Sequence, residues 1–154
     1  MGNRLGSHTR REFMAATVVV VAAIAVAPAA VLAAPEQVAA EIKKLYGDKK
    51  LAEGKIKLDL PTIAENGLVV PLNFEVESPM TAASYVKTVR FFAEGNPNPQ
   101  IADFHFTPLA PKAAAQIRIR LAQTQNIIAV AEMSDGSLYT AKKEVKVTIG
   151  GCGG

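Results

Sequence analysis

Between Ile56 and Leu60 the chain alternates apolar and polar positions, Ile56, Leu58 and Leu60 against Lys57 and Asp59, before Pro61 closes the run. A period of two is that of a strand with one face buried. The same rhythm returns at Val70, Leu72, Phe74 and Val76 opposite Asn73, Glu75 and Glu77. It continues at Val89, Phe91 and Ala93, and at Ala102, Phe104 and Phe106 around Asp103 and His105. Ile117, Ile119 and Leu121 then face away from Arg118 and Arg120, an apolar run fills Ile127 to Met133, and Val145, Val147 and Ile149 alternate with Lys146 and Thr148. Asn66-Gly67 and Asp135-Gly136 supply turn chemistry, and Gly95-Asn96-Pro97-Asn98-Pro99 reads as a rigid loop. Pro71 removes a ladder donor and predicts an edge strand or a bulge.

Upstream the period changes. Pro35 stands where a helix start favours proline, and Val38, Ile42 and Leu45 recur at helical spacing before Gly47. The charged stretch from Asp48 to Lys55 reads as a solvated linker. The predicted fold is mainly β: an immunoglobulin-like antiparallel β-sandwich of about seven strands with a short N-terminal helix and a flexible C-terminal arm. Four segments follow: a leader over 1–33, helix and linker over 34–54, the sandwich over 55–149, and the arm over 150–154.

Thr9-Arg10-Arg11-Glu12-Phe13-Met14 ahead of an Ala- and Val-rich run from Ala15 to Ala34 reads as a twin-arginine export signal. The run approaches the length of a membrane anchor, but Pro28 interrupts it and small residues end it, with Val31 and Ala33 or Ala27 and Ala29 framing cleavage. After cleavage no membrane attachment is expected, and the compartment is the periplasm. Twin-arginine export passes folded proteins, so a companion without its own signal can travel with this chain. An obligate partner is therefore expected.

The formal charge of +3 does not point to nucleic acid. Arg4, Arg10, Arg11 and Glu12 leave with the leader, and the remainder is close to neutral. With 49% hydrophobic and 20% charged residues over 154 positions, the chain has one domain's worth of core. Beyond the leader only His105 and Cys152 remain as histidine and cysteine. Neither a multi-histidine nor a thiolate metal cage can be built, and no metal or cofactor is expected. A Cys152–His105 pair would be hard to hold on a tail, and Glu75 and Glu77 read as solvated charge. Arg118 and Arg120, on one strand face, read as solvated too, although they could meet a partner or anionic cargo. No catalytic residues are assigned.

Cys152 is the exception. A lone cysteine in an exported protein is free, intermolecular or modified. Gly150, Gly151, Gly153 and Gly154 offer no side chains to pack round its sulfur. From Ile149 the thiol can reach ~10 Å. No cation lies in the tail and the terminal carboxylate is close, so nothing local favours thiolate. The result is a substrate-like thiol on a slender arm.

The tail Gly150-Gly151-Cys152-Gly153-Gly154 resembles that of the SoxY family, the sulfur-carrier subunits of the bacterial sulfur-oxidation (Sox) system. So do Ile63 to Gly67 with Val70-Pro71, Asn96 to Pro99 with Phe104 and Phe106, Arg118 to Ala122, Ala129 to Ser137, and the leader. The resemblance implies a substrate-carrying subunit, not an enzyme, that binds thiosulfate-derived sulfur covalently at Cys152, with the four glycines as its mount. It implies a heterodimer with a SoxZ-type companion, loading by a thiosulfate-coupling c-type cytochrome, sulfate release by a hydrolase and, where present, oxidation by a sulfane dehydrogenase. Two alternatives stand beside it. Gly153-Gly154 superficially suits carriers that hold sulfur as a terminal thiocarboxylate, which need ATP inside the cell. An exported structural module that dimerises through a Cys152 disulfide is the other.

Overall fold

The computed structural model describes residues 35–150. The leader read over 1–33 and the arm beyond Gly150 lie outside the described residues. Helix α1 (Pro35–Tyr46) is followed by β1 (Leu51–Glu53), β2 (Ile56–Asp59), β3 (Ile63–Asn66), β4 (Val70–Val76), β5 (Val86–Ala93), β6 (Gln100–His105), β7 (Ala113–Ile119), β8 (Gln125–Met133) and β9 (Leu138–Ile149). The larger sheet runs β1-β9-β8-β5-β6 with β3 added beside β9, and the smaller runs β2-β4-β7. Among the described residues the chain is thus mainly β, a two-sheet sandwich with one short helix ahead of the strands.

The alternating residues do what their period demands. Val70, Leu72, Phe74 and Val76 of β4 turn inward against Val89, Phe91 and Ala93 of β5 and Ile127, Ala129, Ala131 and Met133 of β8. Phe74 sits at the centre, its ring 4.9 Å from those of both Phe91 and Phe104. A second apolar cluster forms on the outer face of the larger sheet, where Val38 and Tyr46 of α1 cover Phe92, Val130 and Leu138. Strands buried on both faces read as continuous apolar runs, which is why Ile127 to Met133 shows no alternation.

Val38 packs as its spacing predicts, but at the end of the helix it is Tyr46, not Leu45, that packs; Leu45 is left exposed. Gly47 ends the helix at φ +67°, its N–H donating to the Lys43 carbonyl at 2.8 Å. Three further readings need correction. Leu51–Glu53, inside the supposed linker, pairs in parallel with the start of β9, and Ile63–Asn66 pairs in parallel with its end. These strands of three and four residues are too short to show a period, so among the described residues the strands number nine and the pairing is not wholly antiparallel. Pro71 lies in the central strand of the smaller sheet, but β2 pairs only with Asn73 to Val76, so at Pro71 only β7 flanks β4.

Candidate functional site

The C-terminal strand is gripped to its last residue. The Lys146 N–H donates to the Thr62 carbonyl at 2.9 Å, while the Val147 N–H donates to the Thr124 hydroxyl at 2.9 Å. Successive N–H groups of a strand point to opposite edges, so β3 holds one edge of β9 and the 121–124 segment holds the other. Ile149 is fastened by the Gly67 N–H, which donates to its carbonyl at 2.7 Å, and the Leu121 N–H donates to the Gly67 carbonyl at 2.8 Å.

Gly150 presses on the Ala122 carbonyl oxygen so closely that a Cβ there would overlap it. Its role is close approach to backbone, a requirement different from the freedom read for it in the sequence. Cys152, Gly151, Gly153 and Gly154 lie outside the described residues, which end two positions before the thiol. Around this root Ile149, Leu68 and Val69 are exposed apolar side chains, close together because Asn66 is in register with Ile149.

Ala122 is itself held from behind. Asn96, only 7% exposed, accepts from the Ala122 N–H at 2.9 Å and donates to the Arg120 carbonyl at 2.8 Å. Gln125 donates to the Asn96 side-chain oxygen at 2.9 Å and accepts from the Gly95 N–H at 2.7 Å. The Asn-Pro-Asn-Pro loop is thereby tied to the segment that supports the arm. Periodicity gave no sign of this clamp, because buried amides bonded to backbone leave no pattern along the chain. In front of it opens a cleft of about 420 Å³ lined by Asn98, Gln100, Ile117, Arg118 and Arg120 among others.

His105 is nowhere near. It shares a cross-strand row with Thr88, Glu132 and Leu138, so it lies level with the first residue of β9 and three strands away. The length of that 12-residue strand, roughly 35 Å, then separates it from Ile149. A reach of about 7 Å from Gly150 to residue 152 does not bridge this. His105 instead faces Asp103 at 3.4 Å, which pairs with Arg90 at 3.1 Å. Arg90 donates to the Tyr46 hydroxyl at 2.9 Å, pinning α1 to the sheet. Burial raises the Tyr46 phenol pKa, with Arg90 pulling the other way. For Arg90 burial opposes the charge, but Tyr46 and Asp103 together outweigh it and its pKa rises.

A family model described as sulfur oxidation protein SoxY matches residues 42–152, a span that ends on Cys152. Among solved structures the chain is similar to the sulfur carrier protein SoxY from Chlorobium limicola f thiosulfatophilum, with 31% identity over 74% of this chain and 98% of that one and a TM-score of 0.62. It also resembles a variant of the superoxide reductase (neelaredoxin) from Ignicoccus hospitalis, with 19% identity over 76% of this chain and 94% of that one and a TM-score of 0.55. The latter likeness concerns the fold alone. Among curated proteins no sequence match was found.

Proposed function

The chain belongs to the SoxY family of sulfur-oxidation carrier proteins, and on that footing we propose that it carries thiosulfate-derived sulfur covalently on Cys152 in the periplasm. The observation that carries this reading is the anchorage of β9: backbone contacts fix the chain as far as Gly150, and the family match continues just to the thiol two residues on. Such an arm is narrow, rooted, and long enough to enter another protein's active site.

In loading, the Cys152 thiol and thiosulfate join through a new S–S bond, giving Cys–S–S–SO3⁻, one proton and two electrons. The electrons go to a c-type cytochrome. Water then adds to the terminal sulfur in a hydrolase, the S–S bond to the sulfonate breaks, and hydrogen sulfate leaves behind a Cys152 persulfide. A sulfane dehydrogenase, where one exists, oxidises that sulfur further. The chain contributes the attachment point and its presentation, and is not itself the enzyme. Any enzyme that admits the arm must also cover the exposed Leu68, Val69 and Ile149 at its root.

Export by the twin-arginine route and pairing with a SoxZ-type companion belong to the same proposal. Intact mass spectrometry of the protein from its native host, before and after reductant, tests the carrier reading. Sulfur or thiosulfonate increments on Cys152 support it; unmodified thiol or a simple disulfide dimer during thiosulfate oxidation overturns it.

A further inference from the structure

Strand β7 leaves one edge bare. It pairs with β4 over all its residues, Ala113 to Ile119, with no bulge. On its other side, among the described residues, no strand pairs with it and no further backbone hydrogen bond engages it. The other outer strands are blunted in ways that deter pairing. β1, β2 and β3 have three or four residues, and β2 carries Lys57 and Asp59 before Pro61. β6 follows Pro97 and Pro99 and meets β5 through a bulge between Phe91 and Phe92. β7 has no proline and no lysine.

Its sequence, Ala-Ala-Ala-Gln-Ile-Arg-Ile, is small in the first half and large in the second. Turned antiparallel against itself about Gln116, it sets small against large at every other position: Ala113 opposite Ile119, Ala114 opposite Arg118, Ala115 opposite Ile117. On the inner face the half-buried Ile117 gains cover. On the outer face Glu75 is in register with Ala114, so Arg118 of a second copy lies two strands from Glu75, about 10 Å between backbones. Only the Ala114 methyl stands between, and the two long side chains span that gap. Among the described residues no ion pair engages Arg118. Opposed pairs of this kind are what stabilises a sheet. Lys112, which would meet Arg120 beyond the ladder, is turned to Glu75 at 3.7 Å.

We propose that β7 is the contact of this chain with a second copy of itself, an antiparallel edge pairing about Gln116 that joins the two smaller sheets into one. About six to eight new backbone hydrogen bonds close the edge. The contact is small, so association is expected at about micromolar concentrations. Ala122, under the arm's root, lies six positions past Gln116, which sets the two roots roughly 40 Å apart at opposite ends of the joint. Arms reaching about 7 Å beyond Gly150 do not meet. The dimer therefore requires no Cys152 disulfide and leaves both thiols free.

The test uses the mature chain with any subunit that accompanies it. Sedimentation under reductant is expected to show a doubled mass, weakened roughly three- to tenfold by Gln116→Lys, which sets like charges opposite each other. Mixing Gln116→Lys with Gln116→Glu restores it. Cys152 is the chain's one cysteine, so Gln116→Cys in a Cys152→Ser background carries a single thiol. Directly opposed residues stand about 4.5–5.5 Å apart, within disulfide range. Its oxidation to a covalent dimer is expected to be roughly tenfold faster than that of Lys57→Cys or Ala114→Cys in the same background, as pairing raises effective concentration at position 116 alone. An undoubled mass under reductant with equal cross-linking rates overturns the proposal. Ala114→Cys linking as fast as Gln116→Cys overturns the register. Links from position 116 to an accompanying subunit give the edge to that subunit and overturn the self-pairing. None of these outcomes depends on whether Cys152 carries sulfur.

Discussion

The Ala122 carbonyl oxygen occupies the space in which a Cβ on residue 150 would have to stand. Gly150 is therefore fitted against the backbone of the 121–124 segment. Gly150→Ala forces the two segments apart, and the expected loss is about 1–3 kcal/mol, the usual cost of overpacking. Urea denaturation of the purified variant checks it; an unchanged midpoint contradicts the contact.

Asn96 ties the Asn-Pro-Asn-Pro loop to the arm's support through the Arg120 carbonyl, the Ala122 N–H and Gln125. Asn96→Ala takes this partner from the part-buried Arg120 carbonyl and Ala122 N–H, while Gln125 keeps the Gln123 carbonyl at 3.0 Å; the expected loss is about 1–3 kcal/mol for an unsatisfied group. Hydrogen exchange at the Ala122 amide is expected to accelerate more than that of central β8 amides such as Ala129. Uniform acceleration would make the effect global and the clamp unimportant to the root.

His105 shares its cross-strand row with Leu138, at the end of β9 opposite Gly150. His105→Ala is expected to leave thiosulfate loading of Cys152 and the pH dependence of loading unchanged. A clear loss of loading in a folded variant would contradict the topology's separation of the two.

Asp135 closes the β8–β9 hairpin by accepting from the Ser137 hydroxyl at 2.6 Å and the Ser137 N–H at 2.9 Å. These bonds favour the carboxylate and lower its pKa below the ordinary 3.8. A folded-state pKa below the unfolded one gives stability that is present above the unfolded value and lost as pH falls through the folded value. The stability gap between the protein and Asp135→Asn is expected to be small, largest near neutrality, and to close as pH falls through and below the ordinary carboxylate value of 3.8. Denaturant titrations across that range check it, and a gap that does not change with pH contradicts it.

Strands that bury one face announced themselves in the sequence. Phe74 and its inward neighbours on β4 were legible because Asn73 and Glu75 intervene, and Asp135-Gly136 because a tight turn needs the φ +81° that Gly136 adopts. Leu51–Glu53 and Ile63–Asn66 were not legible. Their place beside β9 is set by partners about eighty residues away in the chain, and local alternation carries no information about that. Pro71 misled for a related reason: its strand is central, yet its second neighbour stops short of it. Cys152 could be singled out from its glycine setting alone. The grip on Gly150 by Ala122 could not, since a backbone contact leaves no mark on the side chains that make it.

The central claim is that Cys152 carries sulfur. The most direct measurement is peptide-resolved mass spectrometry of the protein taken from cells oxidising thiosulfate, beside a Cys152→Ser strain. The account predicts reductant-sensitive sulfur and thiosulfonate additions confined to the C-terminal peptide containing Cys152, and no thiosulfate oxidation in the serine strain. A C-terminal peptide bearing only free thiol or a chain-to-chain disulfide, with thiosulfate oxidation undiminished in the serine strain, would contradict it.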